Sequence, residues 1–163
     1  MKRTIAMSVA SFAVAAAAFA GTVTVAAEAP KDSSFASKFE VSGKVLQDIG
    51  VGRGEAFALI YEEETTAPGG SGHETHCLGV MQGAADKIVE QHGYCLETDK
   101  DGDQVLWKVT PEANHSANAQ SLPALNEAVA GTGKYAGVSA AFKTICNVTK
   151  PGREYELSCE RAP

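Results

Sequence analysis

Apolar and polar residues alternate with a period of two along most of the chain beyond residue 38, which predicts strands rather than helices. Phe39, Val41, Gly43 and Val45 alternate with Glu40, Ser42, Lys44 and Leu46. Gly50, Gly52 and Gly54 then interrupt the pattern, and Phe57, Leu59 and Tyr61 carry the next apolar row. Residues 67–72 form a loop by composition. A third strand is expected over about His76 to Gln82, a fourth from Ile88 to Thr98, and a fifth through Val105, Trp107 and Val109. Strands at this spacing, separated by turn signals, indicate an antiparallel all-β domain, either sandwich or barrel.

Turn chemistry sets the expected register. With Asp101-Gly102 as a two-residue type I′ turn, Thr98 faces Val105, Leu96 faces Trp107 and Tyr94 faces Val109. These six share one side of the hairpin, and Cys95, Glu97, Leu106 and Lys108 share the other. The first side holds more of the large apolar residues, so it is expected to face inward. A turn at Gly83-Ala84-Ala85-Asp86 sets Cys77 opposite Cys95, and one at Lys150-Pro151-Gly152-Arg153 brings Cys146 nearly opposite Cys159. Disulfides Cys77–Cys95 and Cys146–Cys159 follow, because cross-strand neighbours have suitable Cα separations. Each closes a loop of about fifteen residues, a contribution on the order of 3 kcal/mol in the chain-entropy account. Residues 112–130 admit two readings: a short helix from Pro123 to Val129 ended by Gly131, or a strand with Leu125, Glu127 and Val129 on one face.

Residues 1–27 have a different character. Lys2 and Arg3 precede an uncharged Ala/Val/Phe-rich run, with small-residue cleavage sites ending at Ala20 and Ala27, the arrangement of a secretory signal peptide. Cleavage after Ala27 leaves a flexible arm over 28–37 and a barrel domain over 38–163, with no membrane span in the mature chain. Export makes the even number of cysteines a disulfide framework and places the protein in the periplasm or outside the cell. Without Lys2 and Arg3, twelve basic residues face twenty acidic ones, a formal charge of −8. That balance disfavours nucleic acid and anionic surfaces as partners.

Local motifs for chemistry are sparse. Asp99, Asp101 and Asp103 alternate as in a calcium loop, but the glycine precedes the third acid and position twelve is Thr110, so a solvated turn is the better account. His73-Glu74-Thr75-His76 has i, i+3 spacing rather than the i, i+4 of a zinc helix. No cysteine pair has CxxC spacing, and no nucleophile elbow or phosphate loop occurs. No metal and no cofactor is expected.

The segment Gly131-Thr132-Gly133-Lys134-Tyr135-Ala136-Gly137 resembles the GTGKYAG motif of allene oxide cyclase-like and dirigent-like barrels. Residues 93–103, with His76-Cys77-Leu78-Gly79 before them, are similar to small secreted bacterial members of that group, and the matches span about the last ninety residues. The resemblance implies an antiparallel eight-stranded calycin-like barrel with a central apolar cavity. It implies a strand within 112–130, although that stretch is longer and more irregular than the group's pattern. Lys134 and Tyr135 would then sit on a turn that plugs or rims the barrel.

The expected cavity lining is His76, Leu78, Tyr94, Leu96, Trp107 and Val109, with Phe57 and Tyr61 from the second strand and Glu127 from the 112–130 stretch. The leading functional expectation is a non-catalytic exported barrel that binds a small apolar molecule. The alternatives are a cyclase or isomerase acting on a small hydrophobic substrate, and a structural or interaction module with a filled core. A closed interior would favour the last. An open cavity holding a carboxyl group of raised pKa would favour the enzyme.

Overall fold

Period-two alternation becomes nine strands in the computed structural model, which describes residues 33–35, 37–51, 56–67 and 72–163. The expected leader, the glycines at 52 and 54, and most of the 67–72 loop lie outside the described residues. The strands are β1 (Lys38–Val51), β2 (Ala56–Thr66), β3 (Glu74–Ala84), β4 (Lys87–Thr98) and β5 (Gln104–Pro111), followed by β6 (His115–Ser116), β7 (Ser121–Gly131), β8 (Ala141–Lys150) and β9 (Glu154–Arg161). A single 3₁₀ turn, Gly133–Tyr135, links β7 to β8. Each long strand pairs antiparallel with the next, and β1 pairs with β9, closing an eight-stranded barrel with no free edge. The two-residue β6 only extends the start of β4. Residues 112–130 thus resolve into a loop and a strand.

Both disulfides join directly opposed residues, Cys77 to Cys95 and Cys146 to Cys159, with Cα separations of 3.9 and 4.0 Å. The β3–β4 and β8–β9 registers are those the turns implied. The β4–β5 register is not. Asp99 N–H bonds to Asp103 O and Gly102 N–H to Asp99 O, so the loop has three residues, with Gly102 at φ +86°. The Asp99 carboxylate accepts the N–H groups of Asp101 and Asp103, which holds the extra residue in place. Trp107 therefore faces Cys95, not Leu96, and Val105 faces Glu97, not Thr98.

A slip of one residue reverses a strand's faces. Trp107 and Val105 are inside as expected, and β4 and its disulfide-linked partner β3 are turned over. Their inward rows are Gly93, Cys95 and Glu97, and Thr75, Cys77 and Gly79. His76, Leu78, Tyr94 and Leu96 point to the outer surface, with Leu78 59% exposed and Tyr94 46%. Glu127 also lies on the outer face of β7, whose buried residues are Ala124 and Asn126.

One end of the barrel is filled. Trp107, fully buried, packs edge-on against Phe35 and Phe142, and Phe35 packs edge-on against Phe39. Phe35 belongs to the segment expected to be a flexible arm. Ser33–Phe35 of that segment are instead buried as a plug, while Ser37 is exposed. The plug is tied to Glu97, only 1% exposed, which accepts hydrogen bonds from Ser33 Oγ (2.8 Å), the Ser34 amide (2.7 Å) and Trp107 Nε1 (2.8 Å). His73 Nδ1 stands 3.0 Å from the same carboxyl group.

The glycine motif seals this end from the other side. Tyr135 is buried and donates to Asp99 Oδ2 at 3.0 Å, and Lys134 Nζ reaches Asp99 at 2.6 Å and Asp101 at 2.9 Å. The Lys134 ammonium, with the local amide bonds, holds the Asp99 carboxyl well below the usual carboxylate range. The carboxylates that resembled a calcium loop are thus occupied by a lysine of the next connection. We expect Glu97→Ala to cost about 3 kcal/mol or more in chemical denaturation, since it leaves several buried donors unpaired. Limited proteolysis should then reach residues 33–35; an unchanged midpoint and intact plug would contradict this account.

Candidate functional site

Among the described residues, the other end of the barrel, which carries the β3–β4, β5–β7 and β8–β9 connections, is open. A cavity of about 220 Å³ lies there, its wall formed by Val45, Leu59, Met81, Leu122, Val148 and Leu157 together with four polar side chains, Tyr61, Glu63, Gln91 and Tyr155. A smaller space of about 60 Å³ continues toward the plug, past Val109, Asn126 and Thr144. An apolar cavity of roughly 150 Å³ already accepts benzene, so the mouth has room for a small organic molecule.

The space depends on two glycines. Tyr61 and Tyr155 are large enough to fill the barrel, yet each lies against the wall over the glycine opposite it, Gly79 and Gly43 respectively. A Cβ at Gly79 would sit 2.3 Å from Tyr61 Cζ, and one at Gly43 would sit 2.2 Å from Tyr155 Cζ. Any larger residue at either position would push a ring toward the centre.

The polar groups are unevenly satisfied. Tyr155 donates to Glu63 Oε1 at 2.6 Å, and Gln91 Nε2 donates to Tyr61 Oη at 3.3 Å. Gln91 Oε1 is buried with no hydrogen-bond donor among the described residues. Burial pushes the Glu63 carboxyl above the usual carboxylate range, and the bond from Tyr155 offsets only part of that shift. Burial, and then the charge of Glu63, push both phenols upward, so Tyr61 and Tyr155 stay protonated. The result is a carboxyl group in an apolar wall, beside two hydroxyls and an unfilled acceptor.

Of the residues expected to line a cavity, Tyr61 and Val109 do so, and Leu78 borders the smaller space although its side chain is exposed. Phe57 lies on the same inward row, packed over Gly83 near the rim. Trp107 is inward but belongs to the filled end. His76, Leu78, Tyr94, Leu96 and Glu127 place their side chains outside the barrel. Sequence reasoning missed Glu63, Gln91 and Tyr155. Glu63 follows Tyr61 by two on β2, so alternation already puts it on the inward row. Its acidic neighbours Glu62 and Glu64 disguise it as part of a solvated run.

No family model, no curated protein and no solved structure matches the chain. The site therefore stands on its own geometry.

Because the folded-state pKa of Glu63 is raised, the native protein holds this proton more tightly than the unfolded chain. Its contribution then makes stability fall as pH rises from about 4.3, the ordinary glutamate value, to the raised one. Glu63→Gln keeps an acceptor for Tyr155 and cannot ionise. We expect the stability of the variant relative to the parent to increase across that window in urea titrations. A difference independent of pH would contradict the assignment.

Proposed function

We propose that this chain is an exported, non-catalytic barrel that holds a small, largely apolar molecule in the open mouth, with Glu63, Gln91, Tyr61 and Tyr155 orienting its polar end. One observation carries this reading: among the described residues the barrel is filled at one end and hollow at the other, and the hollow end holds a buried acceptor, Gln91 Oε1, that lacks a donor. Self-packed cores satisfy such groups or exclude them. An apolar wall with a few convergent polar atoms is the usual form of a small-molecule site. The cavity also weighs against a module with a filled core.

Two formed disulfides, and no helix among the described residues long and apolar enough to cross a membrane, support the export reading. The closed eight-stranded barrel supports placement with the calycin-like, allene oxide cyclase-like group. The Gly131–Gly137 segment, however, works here as a seal on the closed end rather than as part of the mouth.

Val148 lines the cavity wall, and Val148→Trp should fill much of the space. We expect ligands that raise the melting temperature of the parent to lose this effect in the variant, with both proteins folded by circular dichroism. Equal stabilisation of parent and variant would place binding elsewhere and remove the proposal.

A second reading has a specific observation behind it. A carboxyl group with a raised pKa inside a cavity is suited to general acid catalysis, as a cyclase or isomerase of a small hydrophobic substrate would require. In this reading Glu63 transfers the proton and the tyrosines hold the developing charge. Glu63→Gln would then abolish turnover with about 10²-fold or greater loss while ligand still binds. Turnover unaffected by the substitution would leave the binding reading alone.

A further inference from the structure

The polar side of the mouth has a definite chemical sense. Its exposed valences are acceptors: the Glu63 carboxyl, whose one hydrogen bond among the described residues comes from Tyr155, and the buried Gln91 Oε1, which has none. Tyr61 Oη already accepts from Gln91. The rings of Tyr61 and Tyr155 lie along the wall beside these acceptors.

Three basic residues of the strands and turns around this end of the barrel are engaged on its outer surface. Lys44 pairs with Glu62, Lys150 with Glu156 at 3.4 Å, and Arg153 with Asp48. Among the described residues, none pairs with Glu63. The cavity is thus built around a carboxyl group with no countercharge among the described residues, in a chain of formal net charge −6.

From this arrangement we propose that the mouth selects an organic cation: a primary or secondary ammonium on an apolar body of about one ring. The proposal deepens the small-molecule reading above and rests on it. Each part of the site has a counterpart in such a ligand. The ammonium places its charge against Glu63 and directs an N–H to Gln91 Oε1. Its positive charge is also favoured near the faces of Tyr61 and Tyr155. The apolar body occupies the space between Leu59, Met81, Leu122 and Val148. An alcohol offers only one donor and no charge. A carboxylate would bring like charge against Glu63 in a poorly hydrated wall, which is strongly unfavourable. The raised pKa of Glu63 fits this picture, since a bound cation relieves the penalty on ionising it.

The test compares three ligands of similar body by calorimetric titration of the full mature chain at neutral pH: 2-phenylethylamine, 2-phenylethanol and phenylacetate. We expect the amine to bind about tenfold or more tightly than the alcohol, a difference near 1.4 kcal/mol, and phenylacetate to bind least. In Glu63→Gln the amine should fall to within about twofold of the alcohol, whose own affinity stays nearly constant. Binding of the alcohol or phenylacetate as tight as the amine overturns the proposed selectivity and leaves a binding barrel. An amine advantage that persists in Glu63→Gln or in Val148→Trp assigns the cation to the acidic outer surface and overturns it as well. Absence of binding by all three removes both the cavity reading and this inference. The comparison on the parent protein needs no variant, so a folding defect in Glu63→Gln leaves the outcome decided.

Discussion

The carboxyl group of Glu97 is the point on which the closed end of the barrel depends. A closed up-and-down barrel has two mouths, and an eight-stranded one is just wide enough for side chains to fill it. Glu97 decides which mouth is filled. Held beside Trp107 at almost no exposure, it gathers a serine hydroxyl and a backbone amide from the N-terminal segment and the indole N–H from β5. Those bonds draw Phe35 into the aromatic group with Phe39, Trp107 and Phe142. Opposing apolar surface alone would not select Ser33–Phe35 as the plug. The directional donors do, because any other segment would leave the carboxyl unsatisfied.

Much of this was readable from sequence, and the part that was not has one cause. Alternation located β1 to β5 but left β7 open between a helix and a strand and did not mark β8 or β9, while turn chemistry paired all four cysteines, since each disulfide needs only the parity of its own hairpin. The faces of β3 and β4 depended on the loop between Thr98 and Gln104. There Asp99 folds its side chain over two backbone amides and adds one residue to the turn. Asp101-Gly102 fits a two-residue turn equally well by composition, so nothing local distinguishes the two lengths. The outward position of Leu78, Tyr94 and Leu96 also defies the simple expectation that large apolar residues mark the core. The glycines at 79 and 93 occupy the inward row in their place, and they read as weak strand positions until Tyr61 is seen lying across them.

The plug itself was misread for a related reason. Pro30, Lys31, Asp32, Ser33 and Ser34 have the composition of a tether, and composition registers polar side chains as solvated. Ser33 and Ser34 are buried because a buried carboxyl requires donors, a demand set by a residue more than sixty positions away. The same blind spot concealed the mouth. Glu63 sits in a run of three glutamates, and Gln91 and Tyr155 sit in strands whose neighbours are polar, so each appears to belong to the surface.

The two carboxyl groups on the inward rows show how structural and functional polarity differ within one barrel. Glu97 and Glu63 are the same residue type on strands of the same sheet, and both lie opposite apolar residues of the interior. Around Glu97 the fold supplies donors from two separate segments, and an aromatic layer excludes solvent, so the group serves to fix a plug. Around Glu63 the described residues supply one tyrosine hydroxyl and no countercharge, and two rings laid over glycines keep space beside it. Burial without satisfaction costs free energy, and nothing in the packing of the mouth requires a glutamate there. An apolar residue at position 63 would complete a conventional core at that level. The presence of an ionisable group in its place, next to an acceptor that no donor among the described residues reaches, is the feature on which the proposal of a partner from outside the chain rests.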